Sequence, residues 1–131
     1  MNDSRYQEAL DYLYSLTHSG IKLGLQNTSR LLQYFDNPHL DIRTIHIAGT
    51  NGKGSTAAIT ESILRAAGLK TGLYTSPHLL DFRERIQINR NLIEKQDVIR
   101  LILKIKYAAE KLEIPVTFFE FGTVMAFLYF K

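Results

Sequence analysis

Gly49-Thr50-Asn51-Gly52-Lys53-Gly54-Ser55-Thr56 is the stretch whose residue types and spacing point most directly to chemistry. Glycines let backbone N–H groups turn inward and approach an anion closely. Lys53 can set an ammonium against the outer phosphates of a nucleotide, and Ser55 or Thr56 offers a hydroxyl to a phosphate oxygen or to Mg2+. A helix beginning at this point would add unpaired N–H groups and the positive end of its dipole. The chemistry is that of a phosphate cradle, and the site residues it nominates are Thr50, Asn51, Gly52, Lys53, Gly54 and Ser55. The stretch departs from the G-x-x-x-x-G-K-[ST] pattern: its first glycine stands three residues before Gly52, not five, and Gly54 occupies the hydroxyl position.

Mg2+ takes about six oxygen ligands and commonly keeps several waters, so a cradle without that hydroxyl calls for an oxygen from elsewhere. Thr75-Ser76-Pro77-His78 follows a second β-rich run, at the end of a sheet where ligands bind in α/β folds. Ser76 can supply the oxygen, and it is equally at home as a turn residue before Pro77. His78 reads as a packed or solvent-facing histidine with a catalytic role as the alternative.

Elements must position these residues. Thr44-Ile45-His46-Ile47-Ala48 reads as a strand running into Gly49, Lys53 to Ala67 as a helix closed by Gly68, and Lys70 to Thr75 as a second strand. Strand, glycine loop, helix and strand make a βαβ unit, which predicts a parallel sheet. On the helix, Ala57, Ile59, Ile63, Leu64 and Ala67 are apolar. Arg85 to Asn89 reads as a third strand. Helices are predicted over Ser4–His18, with Ser4 and Gln7 as a capping box, over Thr28–Phe35, and over Gln96–Leu112. Phe118 to Phe130 is apolar almost all round, the pattern of a helix buried in a larger protein. Such an element followed by Lys131, beside a thin sheet, suggests the N-terminal part of something longer.

Composition bounds the rest. The 131 residues are 45% hydrophobic and 22% charged, globular proportions that suit one domain or a piece of a larger one. The chain has no cysteine, which excludes disulfides, thiolate metal sites and cysteine nucleophiles, and a reducing cytoplasm is the expected compartment. No run of about 18 apolar residues predicts a membrane span, and the first residues lack the apolar core of a signal peptide. The net charge is +3, and seven basic residues fall between Arg83 and Lys106. They read as a solvated face of mixed sign, or as a collar for an anionic ligand. Without aromatic interleaving they do not predict nucleic-acid binding.

Five segments in order give the chain a specific resemblance. Ile45 to Thr56 looks like the ATP loop of folylpolyglutamate synthase and bifunctional dihydrofolate synthase, members of the Mur ligase superfamily. Leu23-Gly24-Leu25-Gln26-Asn27 is similar to that family's Leu-Gly-Leu substrate loop. Gly72 to Leu79 resembles its second signature, Phe82-Arg83-Glu84-Arg85-Ile86 its Glu-Arg-Ile segment, and Thr117 to Thr123 its Thr-x-Phe-Glu stretch.

The resemblance implies an α/β, P-loop NTPase-like fold: an incomplete parallel sheet with flanking helices, residues 1–131 being the N-terminal portion of the ATP-binding domain. It implies an ATP- and Mg2+-dependent amide ligase. The carboxylate of dihydropteroate or of a folate is phosphorylated by ATP, the amino group of L-glutamate attacks the acyl phosphate, and phosphate leaves. Bringing two anions together requires charge neutralisation, the role of Mg2+ and of Lys53 as the catalytic cation. Thr50 to Ser55 would hold the ATP phosphates and Ser76 a Mg2+ ion. Leu23 and Phe119 would sandwich the pterin, and Thr117 would hydrogen-bond it. Arg83 and Arg85 would face an anionic substrate or pair with Glu84. In the family, further metal ligands and a glutamate-binding domain follow the part matched here, so this chain alone is expected to be inactive. Its partners are then small molecules, neither nucleic acid nor membrane. The family is typically monomeric, and a nucleotide-binding or self-associating module without catalysis is the alternative.

Overall fold

The computed structural model describes residues 2–19 and 24–131. Residue contacts divide the chain into two compact units: residues 1–42 with 95–131, and residues 43–94.

The first unit is helical. It contains α1 (Asn2–Ser15), α2 (Gln26–Tyr34), α4 (Lys95–Lys111) and α5 (Phe118–Phe130). A 3-10 turn, Leu16–Ser19, follows α1, and another, Pro38–Asp41, follows α2. The packing follows the helical period: Tyr6, Ala9, Leu10 and Leu13 of α1 are buried, as are Val98, Leu101, Ile102, Ile105, Ala108 and Ala109 of α4. Burying side chains such as Leu13 and Phe121 contributes about 1.5–3 kcal/mol each. Helix α1 starts before Ser4, which places the expected Ser4–Gln7 capping box inside the helix, and Gln7 donates instead to Asp11 at 2.9 Å. The chemical cap lies elsewhere, at α5. Thr117 is its N-cap, the Thr117 hydroxyl accepts from the Glu120 N–H at 3.2 Å, and Glu120 accepts from the Thr117 N–H at 3.0 Å.

The second unit contains α3 (Lys53–Ala66) and a three-stranded sheet of β1 (Gly72–Tyr74), β2 (Ile86–Ile88) and β3 (Asn91–Leu92). The order is β1-β2-β3 and both pairings are antiparallel, Leu73 opposite Gln87 and Gln87 opposite Leu92. This corrects the expected parallel pairing. Residues 44–48, the expected first strand, form no strand among the described residues. A β-branched run becomes a strand when a neighbour supplies its ladder, and here β1 and β3 both pair with β2. Asn89 and Arg90, at φ 50° and 66°, turn β2 into β3, the left-handed pair that a tight hairpin requires.

Helix α3 buries a charged side chain and exposes apolar ones. Ile59 and Ile63 stand 61% and 64% exposed, while Glu61 is 4% exposed. The buried line of the helix runs through Glu61 rather than through its isoleucines. Among the described residues no helix is long and apolar enough to cross a membrane.

Candidate functional site

The glycine-rich stretch ends where α3 begins. Gly52 is the N-cap residue, at φ 75° and ψ 3°, and as a glycine it brings no side-chain cap to the helix. A left-handed conformation at this point costs a side-chain-bearing residue about 1–2 kcal/mol, so glycine suits it. The Gly52 carbonyl accepts the first α-helical bond, from the Thr56 N–H at 2.9 Å. Helix geometry then leaves the N–H groups of residues 53–55 directed out of the helix end, the arrangement that receives an anion.

Thr50, Asn51, Gly52, Lys53, Gly54 and Ser55 are all exposed, and a Cβ built on Gly52 or Gly54 would meet nothing within 4 Å. The loop is open around both glycines. Lys53 is the first residue of α3, placing its ammonium-bearing chain at the same end. Uncapped N–H groups, an accessible loop and a lysine fit a nucleotide's phosphates.

Ser76 is exposed, two residues beyond β1. Its hydroxyl is a hard oxygen, the donor Mg2+ prefers beside phosphate and water. No group of three or more His, Asp or Glu side chains among the described residues forms a metal cage. A single serine hydroxyl would leave most of the roughly six oxygen positions of Mg2+ to phosphate and water.

The segment after Ser76 is tightly organised. Glu84 accepts backbone N–H bonds from Leu79 at 2.8 Å, Leu80 at 3.0 Å and Asp81 at 2.8 Å, and these bonds hold its carboxyl below the usual range. Asp81 and Glu84 form a capping box on the 3-10 turn Phe82–Arg85. His78 Nδ1 accepts from Arg85 Nε at 2.7 Å, and the Arg85 guanidinium lies 5.8 Å from the Phe82 ring centroid. Arg83 pairs with Asp81 at 3.1 Å. The expected partnership of the arginines with Glu84 is therefore replaced, because the backbone N–H groups occupy that carboxylate. Arg83 and Arg85 both serve this loop.

The residues nominated for a pterin belong to the other unit. Phe119 is 65% exposed in the first turn of α5, an outward ring rather than a core ring. Thr117 is buried, and its hydroxyl also donates to Glu120 at 3.1 Å. Asn27 Nδ2 donates to the same Glu120 oxygen and to the Pro115 carbonyl, both at 3.4 Å. Leu23 lies outside the described residues.

No family model matches the chain. It is 45% identical over 131 residues to a probable bifunctional folylpolyglutamate synthase/dihydropteroate synthase of Halobacterium salinarum, covering 97% of this chain and 16% of that protein. The crystal structure of folylpolyglutamate synthase from Thermotoga maritima matches 99% of the chain with a TM-score of 0.89 and 44% identity. The bifunctional folylpolyglutamate synthase/dihydrofolate synthase of Yersinia pestis, complexed with AMPPNP and a Mn ion, matches 96% with a TM-score of 0.84 and 36% identity. The chain belongs to the folylpolyglutamate synthase/dihydrofolate synthase family. It spans 31% and 30% of those two solved chains, and so under a third of their length. Within this family chain, sequence reasoning placed the start of α3 at Lys53 but missed two features. The Thr117–Glu120 box was signalled by its T-x-x-E spacing. The Glu61 network was signalled only by the Glu61–Arg65 spacing of four.

Proposed function

We propose that this chain supplies the phosphate-binding part of an ATP-dependent ligase that joins L-glutamate to dihydropteroate or to a folate through an acyl phosphate. In this reading residues 1–131 are the N-terminal portion of a Mur-ligase-like ATP-binding domain. The observation that carries the reading is the start of α3, where Gly52 adopts a left-handed cap with no side-chain cap and Lys53 opens the helix. The names of the relatives, and the nucleotide and Mn ion bound to one of them, support ATP and a divalent cation as the ligands.

Thr50, Asn51, Gly52, Lys53, Gly54 and Ser55 hold the triphosphate, chiefly through backbone N–H groups. Lys53 neutralises charge on the transferred phosphoryl group. Ser76 offers its hydroxyl to Mg2+, which when bound supplies further neutralisation of the phosphates. Phe119 and Leu23 take the flat pterin between them. Thr117 has its hydroxyl engaged by Glu120, so its contact with a pterin competes with its own cap. The cytoplasm is the compartment in which these small-molecule substrates meet the chain. The chain spans under a third of the solved relatives, and in this reading it binds nucleotide without ligating on its own.

Equilibrium titration of the chain with Mg·AMPPNP tests the reading, with Lys53→Ala as the comparison. Saturable binding that Lys53→Ala abolishes is the expected result. A folded, monodisperse chain that binds no nucleotide would refute it.

A further inference from the structure

A buried carboxylate is the main polar anchor of α3. Glu61 accepts from Arg65 Nε at 2.9 Å, from Arg90 Nε, and from the Thr71 hydroxyl. Arg90 carries the contact further: its Nη2 donates to the Ala58 carbonyl at 2.6 Å and to the Ser62 hydroxyl at 2.9 Å. Arg90 comes from the β2–β3 turn, where its left-handed backbone turns the side chain toward the helix. The neighbouring Asn89 ties that turn to Thr71 on both sides. Its Oδ1 accepts from the Thr71 N–H at 2.9 Å, and its own N–H donates to the Thr71 carbonyl at 2.8 Å.

Two observations make this more than a stabilising ion pair. First, Glu61 is the one fully buried residue of α3, whereas Ala57, Ala58 and Leu64 are half-buried and Ile59 and Ile63 are exposed. Second, buried ion pairs contribute little net stability against an apolar replacement, and their best-attested use is to fix register. A helix held by directed bonds to one carboxylate has a single satisfied azimuth, because rotating it strands buried charge. The hydrogen bonds outweigh the effect of burial and hold the Glu61 carboxyl down at about 2, so the anchor stays ionised at neutral pH.

We infer that Glu61 is a positioning residue for the nucleotide cradle: clasped by Arg90, Thr71 and Arg65, it locks the rotation of α3 and so aims the N–H groups at residues 53–55. This rests on the proposed nucleotide site and adds to it a residue eight positions downstream that touches no ligand. The neighbouring hairpin becomes part of the cradle's support, with Arg90 as its contact.

The test uses the whole chain with Glu61→Gln, which keeps the shape and removes the charge, and Arg90→Lys, which keeps the charge and loses the fork. Lys53→Ala is the ligand-side comparison. Two quantities are read: the Mg·AMPPNP dissociation constant, and amide hydrogen exchange at Thr56, the first α-helical bond of α3. Glu61→Gln should raise the dissociation constant on the order of tenfold, the range of losses when a supporting residue is removed. It should also speed exchange at Thr56 while Asn89 stays protected. Arg90→Lys should fall between the variant and the parent. Lys53→Ala should lose nucleotide and leave Thr56 exchange unchanged. If the parent chain binds no nucleotide, the proposed function fails, and the exchange arm still decides the clasp. Unchanged Thr56 exchange in Glu61→Gln overturns the inference. So does general unfolding of residues 43–94 in Glu61→Gln while Arg90→Lys matches the parent in both readouts.

Discussion

Thr117 uses its hydroxyl twice within its own helix end, accepting from the Glu120 N–H and donating to the Glu120 carboxylate. Removing a threonine N-cap costs about 0.5–2 kcal/mol, so Thr117→Ala should lower the unfolding free energy of the chain by roughly 1 kcal/mol. Thr117→Ser keeps the oxygen and should stay within a few tenths of the parent. Urea titration of both variants checks this, and an unmoved midpoint in Thr117→Ala would show that the cap carries no stability. The same pair separates structure from recognition. A loss of pterin affinity that exceeds the loss of stability, in Thr117→Ala but not Thr117→Ser, would mark a direct contact. At this scale the junction from Gly52 into the helix at Lys53 was legible in the sequence, because a glycine before a helical period leaves a local signature. Thr117 was read for its ligand and not for its T-x-x-E spacing, although that spacing is equally local.

Helices were legible at the scale of elements, and the pairing of strands was not. A helix satisfies its backbone within its own residues, so Val98, Leu101, Ile102 and Ile105 announce α4 by period alone. A strand needs a neighbour, and Thr44 to Ala48 has the composition of one without pairing in the described residues. The inward face of α3 was not legible, because a buried glutamate looks like a surface residue until Arg90 arrives from 29 positions away. That anchor has a pH signature. Burial alone would raise the Glu61 carboxyl, but the hydroxyl of Thr71 and the guanidiniums of Arg65 and Arg90 outweigh it and bring it down to about 2 from 4.5. A folded value below the unfolded one means stability that is fully present above about pH 5 and is lost as pH falls toward 2. The stability difference between parent and Glu61→Gln should therefore be largest at neutral pH and shrink over that window. Glu84 is also lowered, but it is common to both chains and cancels in the difference. Urea unfolding followed at the α3 amides from pH 7 to pH 2.5 measures the difference. A pH-independent gap would mean that the clasp does not depend on the Glu61 charge.

The whole molecule divides its apolar surface unevenly. In the helical unit the large side chains of α1, α4 and α5 close on one another, and Leu13, Ile105, Phe121 and Met125 are fully buried. In the unit of residues 43–94, Ile45, Ile59, Ile63 and Leu69 are more than half exposed, and Leu79 and Leu80 are 90% and 94% exposed. Exposed apolar side chains in such number on about fifty residues are a drive toward association. Ile59 and Ile63 are one helical turn apart and share a face of α3. Converting them together to Ile59→Glu and Ile63→Lys places an acid four residues before a base, which supports the helix by a few tenths of a kcal/mol. Exposed substitutions of this kind leave stability within about 0.5 kcal/mol. Glu61 lies between them on the buried side, so the clasp is untouched and nucleotide affinity should not change. Sedimentation velocity over a range of concentrations should show the parent chain associating and the double variant shifted toward monomer. A parent that stays monomeric throughout, or a variant that associates equally, would remove the α3 face as the cause. Equal nucleotide affinity in the two proteins would place the apolar face and the cradle at opposite functions of one helix. Its first turn then serves the ligand, its Glu61 side the hairpin, and its isoleucine side another surface.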